Sequence, residues 1–322
     1  GDVYKRQSGN CGDAQIITGT KAMMALIHTP AHMLRSALAA GKKVMPKAVR
    51  DHGSLYPSLG RMGSLEVRLA ITKKDIRRAQ KLRYRVFFEE GGALADARSA
   101  LARRDICPFD RICDHMLVID HEARTKFGRK KPKVVGTYRL LRQDMADKHG
   151  GFYSAQEFDI APMLARHAGT RFLELGRSCV LPEYRSKRTI ELLWRGIAAY
   201  MQHYNIGAMI GCASFEGRNP LAHALALSFL HHHAMSEGDW AAQALPERHV
   251  GMDMMPKESI DLRRALDALP TLIRGYLRVG AKFGAGAVID RQFGTIDVLV
   301  VLPVAAIDAK YLDHFSPTQR AA

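Results

Sequence analysis

The chain has 322 residues, 47% of them apolar and 25% charged, which is the balance of a globular protein with a full core and excludes disordered or collagen-like classes. Its 48 lysines and arginines against 32 acids leave a formal net charge of +16. That excess calls for something acidic: nucleic acid, an anionic membrane face, a phosphorylated cofactor or an acidic protein.

No apolar run approaches the about 18–20 residues of a bilayer-spanning helix; Val298 to Ile307 is short and contains Pro303. Five scattered cysteines without a C-x-x-C pair suggest neither a disulfide framework nor a zinc cage. A reducing cytoplasm is the expected compartment.

Residues 1 to about 60 differ from the rest. Gly1 to Gln7 has no helix or strand period and is left out of fold reasoning as an assembly scar. From Lys21 to Arg50 apolar residues mix with Lys42, Lys43, Lys47 and Arg50, either a basic amphipathic segment on anionic lipid or a mobile basic leader.

The compact unit starts at Leu65, where Leu65 to Ile71 alternates with the period of a half-buried strand. Thr72 and Asp75 then form a capping signal for a helix with Ile76, Ala79, Leu82 and Val86 on one stripe. His115 to Asp120 and Val134 to Leu141 read as strands joined by a basic hairpin tip, six cations between Arg124 and Lys133. Phe172 to Val180 is a strand, Thr189 to Tyr204 a helix with an apolar stripe, and Ala208 to Ala213 a short strand. Asn219-Pro220 opens a helix to about His233. Pro256 to Leu269 and Thr271 to Val279 read as helices, and Ala287 to Phe293 with Asp297 to Val304 as a hairpin. The order β-α-β-β-β-α-β-α, then helices and a last β pair, predicts an α/β (α+β) fold with a mixed central sheet flanked by helices.

Chemistry concentrates at Glu174-Leu-Gly-Arg177, inside an apolar strand where ionised groups are costly unless paired or used. Strand parity puts Glu174 and Arg177 on opposite faces, and Gly176 permits a bulge that re-aims one side chain and frees backbone N–H groups. Glu174 is then either a functional group, or half of an ion pair or part of a surface strand in which it faces water. The strand runs into Arg185-Ser-Lys187-Arg188 at a helix start, where cations add to the free N–H groups and dipole in a phosphate site. A solvated loop would tolerate the same cations.

Val180-x-Pro-x-Tyr184-Arg185-x-Lys187 followed by a helix resembles the acyl-donor motif of the GNAT acyltransferases, with Arg188 and Ile190 where small residues are usual. Arg83-Tyr-Arg-Val-Phe87, Phe109-Asp110, Gly136-Thr-Tyr-Arg139, Phe158 and Glu174-Leu-Gly-Arg177 resemble, in order, motifs of acyl-homoserine-lactone synthases. Longer phrases, Glu174 to Arg185, Lys187 to Ile197, Gly211 to Phe215, Ser228 to His233 and Asp290 to Phe293, are similar to the bacterial ornithine N-acyltransferase family that makes lyso-ornithine lipid. The likeness spans about Leu65 to Phe315.

The resemblance implies transfer of a 3-hydroxy fatty acyl group from acyl carrier protein, through its phosphopantetheine thioester, to the α-amine of L-ornithine, with no permanently bound cofactor. It implies residues 61–235 as a GNAT-like core, 236–322 as an extension packed on it and 1–60 as the leader. The amine needs a base, expected to be Glu174 with Arg177 beside it. Strand N–H groups at Cys179 and Val180 are expected to hold the oxyanion. Arg177 or Arg139 would take the α-carboxylate, Asp110 the side-chain ammonium, and Arg83 either pocket or a structural pair. Arg185, Lys187 and Arg188 would meet the donor. Where the lactone pattern carries an acid three residues before Asp110, this chain has Cys107.

Cys179 reads as a buried small hydrophobe rather than an acyl-accepting nucleophile. His231-His232-His233 is not expected to bind metal, because adjacent helical positions diverge by about 100°. The alternatives are a lactone synthase, or a basic membrane- or nucleic-acid-binding protein without catalysis. Aromatics at 7% and dispersed cations speak against nucleic acid. The expected place is the cytoplasm, peripheral at the inner face of the cytoplasmic membrane.

Overall fold

The computed structural model describes residues 58–308 together with His52, Leu55 and Tyr311; the basic leader expected over residues 1–60 falls almost wholly outside them. The strands are β1 (Gly60–Met62), β2 (Leu65–Leu69), β3 (Asp114–Asp120), β4 (Lys133–Arg142), β5 (Phe158–Asp159), β6 (Phe172–Val180), β7 (Ala208–Glu216), β8 (Gln243–Ala244), β9 (His249–Val250), β10 (Lys282–Phe283), β11 (Ala287–Asp290) and β12 (Thr295–Pro303). The helices are α1 (Lys73–Arg83), α2 (Ala97–Ala102), α3 (Gln143–Lys148), α4 (Ala161–Arg166), α5 (Lys187–Tyr204), α6 (Ala224–Ala234), α7 (Leu262–Ala268) and α8 (Thr271–Arg278).

One sheet runs β1-β2-β3-β4-β6-β7-β12-β11-β9, with β10 also on β12 and β5-β8 as a separate pair. Every pairing in the large sheet is antiparallel except β6 with β7. The segment expected as an extension packed on the core is part of this sheet: β12 pairs with β7 over all nine residues, Thr295↔Glu216 to Pro303↔Ala208. Its seven consecutive buried positions, Ile296 to Leu302, mark a strand covered on both faces.

Thr72 and Asp75 form a reciprocal capping box at the start of α1. The chain beyond Arg83 continues as a π-helical segment, Tyr84–Glu90, which the 3.6-residue pattern cannot distinguish from more α-helix. The helix expected over Pro256 to Leu269 shortens to α7, because Asp261 caps it by accepting from Arg264 N. Asn219 caps only a 3-10 turn, Pro220–His223, before α6 begins.

The sheet has a core on each face. Alternation along β12 sends Val298, Val300 and Leu302 into a cluster with Val67, Met116, Leu193 and Ile197, while Leu299 and Val301 join Phe158, Met163, Phe172 and Ile210 on the other side. The first face is covered by α5, where a Cβ on Gly196 would stand 2.9 Å from Val67 Cγ2. The second face carries Glu174 and Asp297, while Arg142 and Asp114 pair with Tyr200 on the first.

Candidate active site

The bulge lies between β4 and β6. Register steps from Thr137↔Cys179 to Arg139↔Gly176, so Tyr138 faces both Arg177 and Ser178. Arg177, not Gly176, takes the left-handed conformation, with φ 52°, a position uncommon for a side chain of this size. The extra residue overturns the parity expectation. Glu174 shares its face with Phe172, and Arg177 is turned to that same side, its guanidinium 5.0 Å from the Tyr153 ring centre and 4.3 Å from that of Phe293.

Glu174 is buried and its described partners are not cations. Oε2 accepts from Tyr153 N at 2.9 Å, and Oε1 accepts from Ser154 N and Ser154 Oγ, both at 2.6 Å. The carboxylate thereby fixes the 3-10 turn Tyr153–Gln156 across the sheet. Oε1 is filled by two donors, and Oε2 keeps one lone pair.

Arg83, wholly buried at the end of α1, organises the loop before β3. Its Nε donates to Asp105 Oδ2 at 2.7 Å, and its Nη2 donates to the Asp105 carbonyl at 2.7 Å and to both Asp110 oxygens at 2.8 Å. Gln80 Nε2 and Cys107 N add two more donors to Asp110 Oδ2, at 2.8 and 3.2 Å. Asp110, expected to hold an ammonium, is instead enclosed in this framework, because its oxygens are taken by the protein's own donors. Burial alone would raise its pKa, but Arg83, His115 and Arg139 hold the carboxyl well below the usual range. The acid missing at Cys107 has a counterpart two residues earlier in Asp105, whose Oδ2 also lies 3.4 Å from Arg177 Nε.

Arg139 is 3% exposed, with Nη1 3.9 Å from Asp110 Oδ1 and without a hydrogen-bond partner. Its guanidinium lies 5.5 Å from the Phe109 ring centre and 5.4 Å from that of Tyr153. A buried guanidinium with an unmade hydrogen bond is costly and is the group expected to receive a carboxylate.

Strands β6 and β7 pair only from Phe172↔Ala208 to Glu174↔Ile210, although both continue for six residues. They part where Gly211 meets β6: a Cβ there would stand 2.3 Å from the Leu175 carbonyl oxygen. Leu181 N donates to Val135 O, and ladder alternation therefore turns the Val180 N–H toward the gap and the Cys179 N–H toward β4. Of the two expected oxyanion donors, only Val180 faces the opening. Burial pushes the Cys179 thiol up to about 12, which keeps it protonated and unreactive at neutral pH.

At the start of α5, Ser186 accepts from Thr189 N, and Lys187 and Arg188 are exposed. Arg185 pairs with Glu90 at 2.5 Å and donates to the Val180 carbonyl at 3.1 Å. The cations expected at the donor site thus gather at one helix terminus, where Arg185 reaches Val180 beside the gap while the Arg188 guanidinium lies over Gly63 in the β1–β2 turn.

Sequence reasoning missed Tyr153, Asp105 and a group of three buried carboxylates, Glu157, Asp290 and Asp297, whose ligand oxygens lie within 4.8 Å of one another. Asp297, an acid inside the apolar strand β12, was the available signal. His231 and His232 do converge on one carboxylate, contrary to the angular expectation: Asp253 is 3.9 Å from the first and 2.9 Å from the second. A separate cleft of about 550 Å³ opens among His232, Met235, Trp240, Lys282 and Pro303 and contains none of the expected site residues.

Residues 82–195 match the model of the acetyltransferase (GNAT) domain. The chain is 55% identical over 269 residues to an L-ornithine N(alpha)-acyltransferase of Agrobacterium fabrum, covering 84% of this chain and 90% of the relative. It is 53% identical over 257 residues to one of Rhizobium meliloti, covering 80% and 86%. An N-acyl amino acid synthase from uncultured soil microbes aligns over 75% of this chain and 91% of its own, at 12% identity and a TM-score of 0.42. With a GNAT domain match that takes in Arg83 and the bulge of β6, and with relatives at this identity, the chain is an acyltransferase and belongs to the L-ornithine N(alpha)-acyltransferase family.

Proposed function

We propose that this enzyme moves a 3-hydroxy fatty acyl group from the phosphopantetheine of acyl carrier protein to the α-amine of L-ornithine, giving lyso-ornithine lipid. The observation that carries the reading is the pair of buried guanidiniums, Arg139 with Nη1 unpaired and Arg177 turned to the same face by the bulge, beside the parting of β6 and β7. Together they suit a carboxylate-bearing acceptor next to a cleft for an extended acyl donor.

In this reading the thioester lies in the gap between the parted strands, and its carbonyl oxygen points to the Val180 N–H. The acceptor's α-carboxylate pairs with Arg139 and Arg177. Its α-amine, once neutral, attacks the thioester carbon, and the negative charge that develops on oxygen is met by the backbone N–H. The proton leaves through the free lone pair of Glu174 Oε2, directly or by one water. Collapse expels the phosphopantetheine thiolate, which takes up a proton, and the amide is formed. In this reading transfer is direct, without an acyl-enzyme, in keeping with a Cys179 thiol that is buried and held protonated.

The donor is supported by charge: acyl carrier protein is acidic, the chain carries +16, Arg185 sits on the Val180 carbonyl, and Lys187 and Arg188 are exposed at the start of α5. Among the described residues no helix is long and apolar enough to cross a membrane; we place the enzyme in the cytoplasm, peripheral to the membrane that receives its product.

The test is mass spectrometry of products after incubation with 3-hydroxyacyl carrier protein and a mixture of ornithine, lysine, homoserine and S-adenosylmethionine. N-acyl-ornithine is the expected product. A lactone, or no acylated amine with intact donor, overturns the reading.

A further inference from the structure

We infer that Glu157, Asp290 and Asp297 form the pocket for the distal ammonium of the acceptor amino acid, and so set its preference for a basic side chain. The inference rests on the proposed acceptor and assigns the ammonium to a site other than Asp110.

The three carboxylates come from separate elements: the end of the Tyr153–Gln156 turn, the end of β11 and the third position of β12. They are 2%, 6% and 5% exposed. Their compensation is incomplete. Asp290 accepts from Gln292 N and Phe293 N at 2.7 and 3.0 Å, and Asp297 accepts from Thr295 Oγ1 at 2.9 Å. Glu157 has one cationic contact, Arg248 at 3.5 Å from Oε1, and its Oε2 is buried without a hydrogen-bond partner. The Ser214 side chain adds a donor to Asp297, and Arg177 and Arg248 supply positive charge from outside, but three acids this close and buried still favour holding protons or a further cation among them.

The cluster belongs to the same site as the arginines. Asp297 lies on the sheet face that holds Leu299 and Val301, the face of Phe172 and hence of Glu174. Tyr153 stands between the two charge groups: its ring packs under Arg139 and Arg177, and its hydroxyl is influenced by both Glu157 and Asp290. Cys212 donates to Ser154 Oγ at 3.5 Å, and Ser154 in turn holds Glu174. One end of the site is therefore cationic with an unmade hydrogen bond at Arg139 Nη1, and the other anionic with an unmade hydrogen bond at Glu157 Oε2.

A zwitterion with a second, distal ammonium matches both ends. Its carboxylate fills the arginine end, and the three N–H bonds of a primary ammonium can be shared among three carboxylates. A divalent cation would also suit three acids, but its doubled charge would be repelled more strongly than a single ammonium by Arg248 and Arg177. The ammonium is therefore the occupant we assign.

The groups that face Glu157 are Arg248, Asp290, Asp297, Cys212 and Tyr153. Burial and the neighbouring acids push Glu157 and Asp297 up from the ordinary carboxylate range. An arriving ammonium reverses this and should expel a proton.

The experiment compares ornithine with norvaline, which lacks the terminal ammonium, on the full chain with acyl carrier protein as donor. Wild-type enzyme should prefer ornithine, and titration calorimetry in buffers of different ionisation heat should detect proton release near neutral pH with ornithine and not with norvaline. Glu157→Gln and Asp297→Asn should each raise the KM for ornithine roughly tenfold or more, the scale of losing a charge-assisted contact, while the KM for the donor and for norvaline stays unchanged. Equal use of ornithine and norvaline by the wild-type enzyme overturns the inference without needing a variant. So does a stoichiometric metal in the purified protein that is lost in Asp297→Asn. Absence of ornithine acylation by wild-type enzyme with intact donor defeats the proposed function itself, a distinguishable result.

Discussion

Arg83 and Asp105 meet twice, side chain to side chain and side chain to backbone, each at 2.7 Å. The second contact pins the backbone of the loop before β3, and the same guanidinium then reaches Asp110. One buried cation thus orders two buried acids and, through the 3.4 Å approach of Arg177 to Asp105, the bulge of β6.

Arg83→Met should destabilise the fold by about 3–5 kcal/mol, because it leaves two acids buried without their cation. Urea denaturation monitored by circular dichroism gives the difference; an unchanged midpoint would mean that the network is supported by other groups.

Glu174→Gln should lower turnover while donor binding is retained. The amide cannot remove a proton, and its NH2 must face one of the three donors that now reach the carboxylate, with a stability cost of about 1–3 kcal/mol. Single-turnover rates measured alongside carrier-protein binding separate the two effects, and unchanged turnover would remove Glu174 from the chemistry.

Gly211→Ala should destabilise by about 1–3 kcal/mol or more, the range for forcing volume into a packed region, since its methyl would run into the Leu175 backbone carbonyl. A thermal melt equal to the wild type would show that the two strands can part further at little cost.

Arg185→Ala combined with Arg188→Ala should weaken acyl carrier protein binding and flatten its dependence on salt. Equal affinity across ionic strengths in a binding titration would refute docking at the start of α5.

The unliganded protein should lose stability at both ends of the acid-to-neutral range. Asp110 has a depressed folded pKa, so its contribution is present above its ordinary value of 3.8 and disappears as pH falls through the folded value. Glu157, ordinarily near 4.5, has a raised one, so the unfolded chain releases its proton first and stability declines as pH rises from that value toward the folded pKa. Denaturation midpoints followed over pH should show the second decline reduced in Glu157→Gln; an identical profile would mean that Glu157 does not titrate in this range.

Legibility in the sequence followed the range over which each signal acts. The β6 boundaries, Phe172 to Val180, and the Thr72–Asp75 cap are local patterns and stand in the structure as read. Glu174 and Arg177 stood out because charge inside an apolar strand is costly, yet their relative facing depended on one extra residue whose backbone conformation no side-chain pattern reports. Asp297 carried the same kind of signal in β12 but stood at the first position of a segment read only as a hairpin strand, where an acid is unremarkable. Glu157 and Asp290 gave none, being at the ends of short elements and 133 positions apart, so only the folded sheet brings them together. The C-terminal strands read as a hairpin, and nothing local to them announces that β12 inserts beside β7.

That insertion has a consequence for synthesis. Strand β12 is the last in sequence among the described residues, but it lies between β7 and β11. A nascent chain can form β2, β3, β4 and β6 while it is still tethered to the ribosome, yet β7 waits with one edge open until some eighty further residues have emerged. Two of the three acids at the acceptor end, Asp290 and Asp297, arrive with this late hairpin. The arginine end of the site can thus be built before the carboxylate end, and on the ammonium pocket we infer, discrimination between amines would be acquired only when the sheet closes.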